Sequence, residues 1–526
     1  MQFARVDLST TPPTVDVPRR YNATTEFIDR HATGAAAGKT AVIDDRGRYT
    51  YGELGERVNR AGNGLRGLGL RQESRVLMCM LDTVDFPAVF WGAIKAGLVP
   101  IPVNTLLTAK DYDFMLRDSR AQTLVVSQSL YEQFAPIVAS QPYLEHIVIS
   151  GGDAGEHATL AELCAGAAPT LEAAQTTCDD VAFWLYTSGS TGTPKGSIHL
   201  HRDPVTTAAL YGNGILGMES DDVVFSAAKL FFAYGLGNGM SFPFYASATA
   251  VLLAGRPTPD TIMDVLAREQ PSIYFGVPTL YGAILANPDN GRANGSQKLR
   301  RCVSAGEALP EHIGKQWEER FGVEILDGLG STEMLHIFLS NQVGRVRYGT
   351  SGIPVPGYEL RVVAEDGSNA APGEIGELWV KGGSAAPAYW NQREKTLATF
   401  HGPWTRTGDK YTVDADGYYT YAGRTDDMLK VSGQWVSPFE VESALLAHEQ
   451  VLEAAVVGAV DDQQLVKPKA FVVLQEGAAG SDELAQTLKD FVKDRLAPFK
   501  YPRWIEFANE LPKTATGKIQ RFKLRA

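Results

Sequence analysis

Residues 181–196 read VAFWLYTSGSTGTPKG, an apolar run that breaks into glycines and hydroxyls and closes on a lysine and a glycine. Val181–Tyr186 has the character of a buried strand. From Tyr186 to Gly196 there follow three glycines, five serine or threonine hydroxyls and one lysine. Glycines let backbone N–H groups approach an anion closely, hydroxyls add donors, and lysine supplies a point charge. That chemistry suits a polyphosphate. The loop is not of the Walker A type, because Thr193-Pro194 separates Gly192 from Lys195. Ser197–His201 alternates like a second strand, and a helix is expected only at Asp203-Pro204, read as an N-cap and first-turn pair. The loop should therefore join two strands rather than open a helix.

Outward from this loop, strand-like runs alternate with helix-like stretches. They are Ser74–Met80, Thr123–Val126, His146–Ile149, Val181–Tyr186, Thr249–Leu253 and Ser272–Gly276, which together indicate a layered α/β core. From about Ala371 the pattern changes to short strands and turns such as Pro372-Gly373 and Asp416-Gly417, the mark of a β-rich subdomain. Beyond Arg424 the chain reads as a compact α+β unit, with strands at Glu453–Val460 and Ala470–Gln475 and a helix at Ser481–Leu496. The expected fold is thus a multi-domain α/β protein. A large N-terminal domain spans 1–423, with its β-rich part over about 345–423; a hinge covers 424–430; and a small mobile α+β domain covers 431–526.

The 526 residues exceed what one hydrophobic core normally serves, so two or more domains are expected on length alone. A net charge of -12, with Lys and Arg scattered, disfavours nucleic acid and anionic lipid as partners. A polyanionic ligand would need a locally basic pocket. The most apolar stretch, Phe86–Val103, is interrupted by Lys95, Pro87, Pro100 and Pro102, which fits a buried helix turning at Gly97 into a short strand rather than a membrane span. The start, MQFARVDLST, has no apolar signal core, so the cytoplasm is the expected location. Four scattered cysteines, Cys79, Cys164, Cys178 and Cys302, fit small buried hydrophobes better than zinc ligands or disulfides.

Two glycine patterns mimic other sites. Gly212-Asn213-Gly214-Ile215-Leu216-Gly217 fits the dinucleotide fingerprint as a string but follows a helix-like run and reads as a loop. Gly235-Leu236-Gly237-Asn238-Gly239 likewise lacks a strand-turn-helix setting.

With the loop YTSGSTGTPKG, the chain resembles the adenylate-forming superfamily of acyl- and aryl-CoA synthetases, peptide-synthetase adenylation domains and beetle luciferases. Five further segments agree in the family's order. The resemblance implies ATP, Mg²⁺ and coenzyme A as ligands, with Thr187, Ser188, Gly189, Ser190, Thr191, Gly192 and Lys195 around the outgoing phosphates. It places Ala305, Gly306 and Glu307 of SAGEAL along adenine, with Asp327, Gly328 and Leu329 of DGLGSTE continuing the nucleotide wall. It gives Thr332 to the α-phosphate and Glu333 to the metal. Leu329 departs from the family, where tyrosine is common. Asp409 of WTRTGD would hold the ribose hydroxyls, Arg424 would reach the nucleotide, and Asp426 would be the hinge. Lys518 of PKTATGKI would enter the site for acid activation, while Ser432 and Gly433 would meet the pantetheine arm of CoA.

The segment KLFFAYGLGNG, with Phe231, Phe232 and Tyr234, falls where the family builds its acyl pocket. Gly330, His336 and Ile337 would complete the wall. These stretches look like those of benzoate-CoA ligases and their hydroxybenzoate relatives, which implies a short flat aromatic acid rather than a long alkyl chain. Benzoate is the first expectation, with hydroxybenzoate, aminobenzoate or another short acid as the alternative. A catalytically silent nucleotide sensor of the same fold would lack Lys518 or Glu333, and both are present. A peptide-synthetase module is disfavoured because the chain stops at Ala526 without a carrier domain. Monomer and homodimer both remain open.

Overall fold

The structure, a computed structural model, describes residues 2–187, 194–425, 427–431, 434–462, 465–497, 499–513 and 519–525. Among these residues the two main sheets follow from the apolar runs. The first holds five strands in the order Val99–Pro102, Arg75–Cys79, Thr123–Ser127, His146–Ser150 and Ala158–Thr159, every pair parallel. Its feeder is the expected buried helix, Asp85–Lys95, which turns through Gly97 at φ +82° into Val99–Pro102. Glycine suits that turn because a positive φ crowds any Cβ.

The second sheet has nine strands. Its parallel centre runs through Thr249–Val251, Val223–Ser226, Ile273–Gly276, Arg301–Ser304 and Ile325–Gly330, and antiparallel Ile337–Ser340 continues from the last. In open α/β sheets ligands gather beyond the carboxyl ends of such strands. Here those ends lead into Lys229–Tyr234, Ala305–Glu307 and Thr332–Glu333. Three separate candidate segments are therefore brought to one edge by topology.

Val181–Thr187 pairs antiparallel with Lys195–Leu200, and Thr187 stands opposite Lys195. The two expected strands are present and paired; residues 188–193 between them lie outside the described residues. Alternation along the first strand sends Phe183 and Leu185 into the central core and Trp184 into the core of the first sheet. Burial on both faces explains why the run is apolar throughout.

Two local readings are corrected. The helix beginning at Asp203 is preceded by Arg202 as its N-cap, so Asp203 is the first helical residue, and its carboxylate turns back to accept from the Leu200 N–H at 2.9 Å. Gly212 is not in a loop: the helix Asp203–Thr207 runs on through a wider turn, Ala208–Asn213. There a Cβ on Gly212 would lie 3.2 Å from the Phe242 ring, so the missing side chain serves close packing.

Further along, strands Glu359–Val363, Gly376–Lys381, Trp404–Val413 and Tyr419–Arg424 form an antiparallel sheet, with Phe400–His401 at one edge. After it come the hairpin Leu429–Val431 and Gln434–Val436, helix Pro438–Leu446, and antiparallel strands Val451–Val460 and Val466–Leu474. Helix Asp482–Lys493 is capped by Ser481, whose hydroxyl accepts from the Leu484 N–H at 3.1 Å. Sequence periodicity missed the strand Trp504–Phe507, which pairs parallel with Val466–Leu474. Arg521 closes this part on buried Glu442 at 2.7 Å. Cys79, Cys178 and Cys302 are buried and Cys164 is half-buried, all as free thiols. Among the described residues no helix is long and apolar enough to cross a membrane.

Candidate active site

Lys195 and His199 lie on one face of the strand Lys195–Leu200, because residues four apart along a strand point the same way. Lys195 Nζ sits 4.5 Å from the centre of the Tyr389 ring and 3.3 Å from its hydroxyl. That hydroxyl donates to Glu333 Oε1 at 2.6 Å. Burial first, and then the charge of Glu333, push the Tyr389 phenol well above its ordinary value, so it remains a donor.

Tyr389 was not among the sequence candidates, and its neighbourhood shows why. Residues 384–390 have no regular period, yet they bind two distant elements. The Ser384 hydroxyl donates to Met334 O at 2.8 Å, and the Ala386 N–H to Glu333 O at 2.7 Å. The Ile198 N–H donates to Ala388 O at 3.1 Å, and the Trp390 N–H to Gly196 O at 2.7 Å. Trp390 packs on Trp184 with ring centres 4.7 Å apart. The segment thus ties the lysine strand to the turn that carries Glu333.

That turn, Thr332–Met334, opens with Ser331, whose hydroxyl accepts from the Met334 N–H at 3.3 Å. It leaves through Leu335 at φ +66°, a conformation that typically costs a side-chain-bearing residue about 1–3 kcal/mol and that clusters at functional sites. The strained exit lets His336 and Ile337 return beside Gly330. A Cβ on Gly330 would stand 2.6 Å from the His336 carbonyl, so only glycine fits there.

His336 is enclosed by aromatic rings, with Phe242, Tyr211 and Tyr234 centred 4.4, 5.4 and 5.7 Å away. Its Nε2 pairs with Asn238 Oδ1 at 3.0 Å, while His336 Nδ1 and Asn238 Nδ2 are buried with no partner among the described residues. Burial lowers His336 to about 3, which keeps it neutral. Tyr234 aims its hydroxyl at the Gly276 and Val303 carbonyls, 3.2 and 3.3 Å away, leaving the ring as its contribution to the group. Phe231 and Phe232 pack on each other at 4.4 Å, and Ile337 is buried.

Of the residues expected along a nucleotide, Ala305 is buried, whereas Gly306, at φ +94°, and Glu307 are exposed. Asp327 is buried with Oδ1 unpartnered among the described residues, and burial raises its carboxyl well above the usual range. Gly328 is also buried; Leu329 is half-buried and packs on the central core. Asp409 and Arg424 are register partners on adjacent strands and form an ion pair at 3.0 Å. The Arg424 charge acts on the Tyr389 phenol in the opposite sense to burial. Ser188, Gly189, Ser190, Thr191, Gly192, Asp426, Ser432, Gly433 and Lys518 lie outside the described residues. Besides Tyr389, sequence reading missed Tyr211, Asn238 and His199; Asn238 stands in a quoted stretch, but its neighbouring glycines drew attention as a decoy.

Residues 28–390 match the AMP-binding enzyme family and residues 440–518 match the AMP-binding enzyme C-terminal domain. The chain belongs to this family. It is 60% identical to a benzoate-CoA ligase of Thauera aromatica over 99% of this chain and 98% of that protein. Among solved structures, a benzoate CoA ligase from Burkholderia xenovorans LB400 aligns with TM-score 0.89 and 52% identity over 96% of this chain and 100% of that one. An anthranilate CoA ligase, AuaEII, solved in complex with anthranoyl-AMP, aligns with TM-score 0.92 and 43% identity over 97% of each chain.

Proposed function

We propose that the chain is an ATP-dependent ligase that activates benzoate as its acyl-adenylate and transfers the acyl group to coenzyme A, releasing AMP and pyrophosphate. The observation that carries this reading is the spacing of Glu333 and His336. One strained turn bears a carboxylate facing the phosphate lysine and, three residues on, a neutral histidine inside a cage of rings. Phosphate chemistry and a flat apolar acid would then meet at that turn. The similarity to benzoate-CoA ligases supports the same acid.

A carboxylate oxygen attacks the α-phosphorus, forming the mixed anhydride as the bond to the β-phosphate oxygen breaks and pyrophosphate departs. The sulfur of CoA then attacks the acyl carbon, its proton is lost, and AMP leaves. Positioning and charge neutralisation are most of what a protein supplies in the first step. In this reading the loop from Thr187 to Lys195 holds the departing phosphates, Thr332 the α-phosphate and Asp409 the ribose, with Arg424 beside it. Lys518 supplies the cation that neutral His336 does not provide to the acid's carboxylate. Residues 431–526 turn about Asp426 between the half-reactions, bringing Ser432 and Gly433 to pantetheine.

Mg²⁺ fits the donor set, since it binds through one or two carboxylates plus phosphate oxygens, and Glu333 is a half-buried carboxylate held by a neutral phenol. Bound there, it would neutralise phosphate charge. The enzyme is read as cytoplasmic, monomeric or homodimeric, without a nucleic-acid or membrane partner, in keeping with the net charge of -12.

A second reading, a hydroxybenzoate or aminobenzoate ligase, is favoured by the unpartnered His336 Nδ1 and Asn238 Nδ2, which a ring substituent would satisfy. Acid-dependent exchange of labelled pyrophosphate into ATP, run over aryl and alkyl acids, separates these readings. Benzoate should give the highest kcat/KM; a hydroxybenzoate or aminobenzoate in that place supports the second reading, and exchange only with alkyl acids refutes both.

A further inference from the structure

His199 lies four residues beyond Lys195 on the same strand, and its ring joins two elements far apart in sequence. Nε2 is 2.7 Å from the Thr332 carbonyl, and Nδ1 is 3.0 Å from Asp203 Oδ2. The imidazole and its carboxylate partner are buried: His199 and Asp203 have 0% and 1% side-chain exposure. A carbonyl only accepts, so Nε2 carries a hydrogen and donates to it, while Nδ1 is paired with the Asp203 carboxyl. Asp203 is held in turn by the Leu200 N–H, and Phe183 stacks on the imidazole at 5.4 Å. The ring has no freedom to follow a drifting Thr332.

We infer that His199 is a positioning residue for acid activation: through the Thr332 carbonyl it sets the distance between the turn that carries Thr332 and Glu333 and the strand that carries Lys195. Besides the backbone hydrogen bonds of residues 384–390, two side-chain ties connect that turn to that strand among the described residues. One runs through Tyr389, whose hydroxyl bridges side chains that ligands must also use. The other, through His199, uses a backbone carbonyl, so it survives when phosphates and metal occupy Lys195 and Glu333. This inference rests on the function proposed above.

The test compares His199→Gln with His199→Asn. The Gln amide nitrogen stands near the position of Nε2 and can reach the Thr332 carbonyl, whereas the Asn amide matches Nδ1 and leaves that carbonyl without a donor. Misplacement by about 1 Å can reduce rate on the order of 10²-fold, so H199N should lose about that much pyrophosphate exchange while H199Q stays within about fivefold of the parent. The same order should appear in calorimetric binding of the magnesium complex of an ATP analogue with a methylene between its α- and β-phosphorus. H199N should bind about tenfold more weakly, and H199Q about as well as the parent. Urea midpoints of the ligand-free variants show whether they are equally folded. Equal exchange and equal analogue binding in H199N and H199Q would overturn the inference, as would losses that merely track the urea midpoints. Absence of exchange in the parent would instead refute the proposed function.

Discussion

The Tyr389 hydroxyl stands between Glu333 and Lys195, donating to the carboxylate at 2.6 Å and lying 3.3 Å from the ammonium. Opposite charges that would otherwise collapse into a direct ion pair are held by a neutral spacer. In the proposed function an arriving triphosphate would find the Lys195 cation and the Glu333 carboxylate already separated.

Replacing the spacer tests this arrangement. Tyr389→Phe keeps the ring beneath Lys195 and removes only the donor. A hydrogen bond to a charged group is worth about 1.5–3 kcal/mol, a factor of about 10 to 150, so pyrophosphate exchange should fall within that range, with a changed Mg²⁺ requirement. An unchanged Mg²⁺ titration and rate would show the bridge to be incidental.

Gly237 concerns the aromatic cage. A Cβ there would stand 2.4 Å from His336 Cδ2, so Gly237→Ala must move the imidazole or the helix. Overpacking of this kind typically destabilises by about 1–3 kcal/mol. Urea denaturation should show that loss, and the KM for benzoate should rise more than the KM for ATP.

His336 also links stability to pH. Its folded value, about 3, lies below the ordinary 6.5, so between these limits the unfolded chain binds a proton that the folded chain refuses. Stability associated with this group is present above pH 6.5 and is lost as pH falls. Buried Asp82, raised to about 6, acts in the opposite sense, because its folded form takes up a proton first. The parent's overall slope mixes these with other buried groups, among them His31 and His201, both lowered to about 4, and a variant isolates one. Relative to the parent, His336→Phe should gain about 2 kcal/mol between pH 7 and pH 5, at about 1.4 kcal/mol per unit below 6.5. Urea midpoints at the two pH values check the sign; a difference independent of pH would contradict the neutral assignment.

In the proposed function Lys518 serves the first half-reaction and not the second. Lys518→Ala should abolish acid-dependent pyrophosphate exchange yet leave thioester formation from pre-made benzoyl-adenylate within about threefold of the parent. Equal loss in both assays would remove its assigned part.

The strand pair that ends at Thr187 and begins again at Lys195 was legible because apolar runs act locally, as was the sheet whose strand ends gather the candidate segments. Tyr389 was not legible. Its place depends on hydrogen bonds to Gly196 and Ile198, almost 200 residues earlier, and no local period marks it. His199 was read only as one residue of an alternating strand, since its partners Asp203 and Thr332 meet it only in the folded chain. Gly212 misled because glycine in a polar-looking run usually marks a turn, whereas here it gives room to Phe242.

Incubation with benzoate, ATP and CoA, followed by chromatographic separation of every product, tests the account most directly. The predicted result is benzoyl-CoA, AMP and pyrophosphate in equal amounts, with none formed when benzoate is omitted. Formation of ADP and phosphate, or consumption of ATP without any thioester, would contradict it.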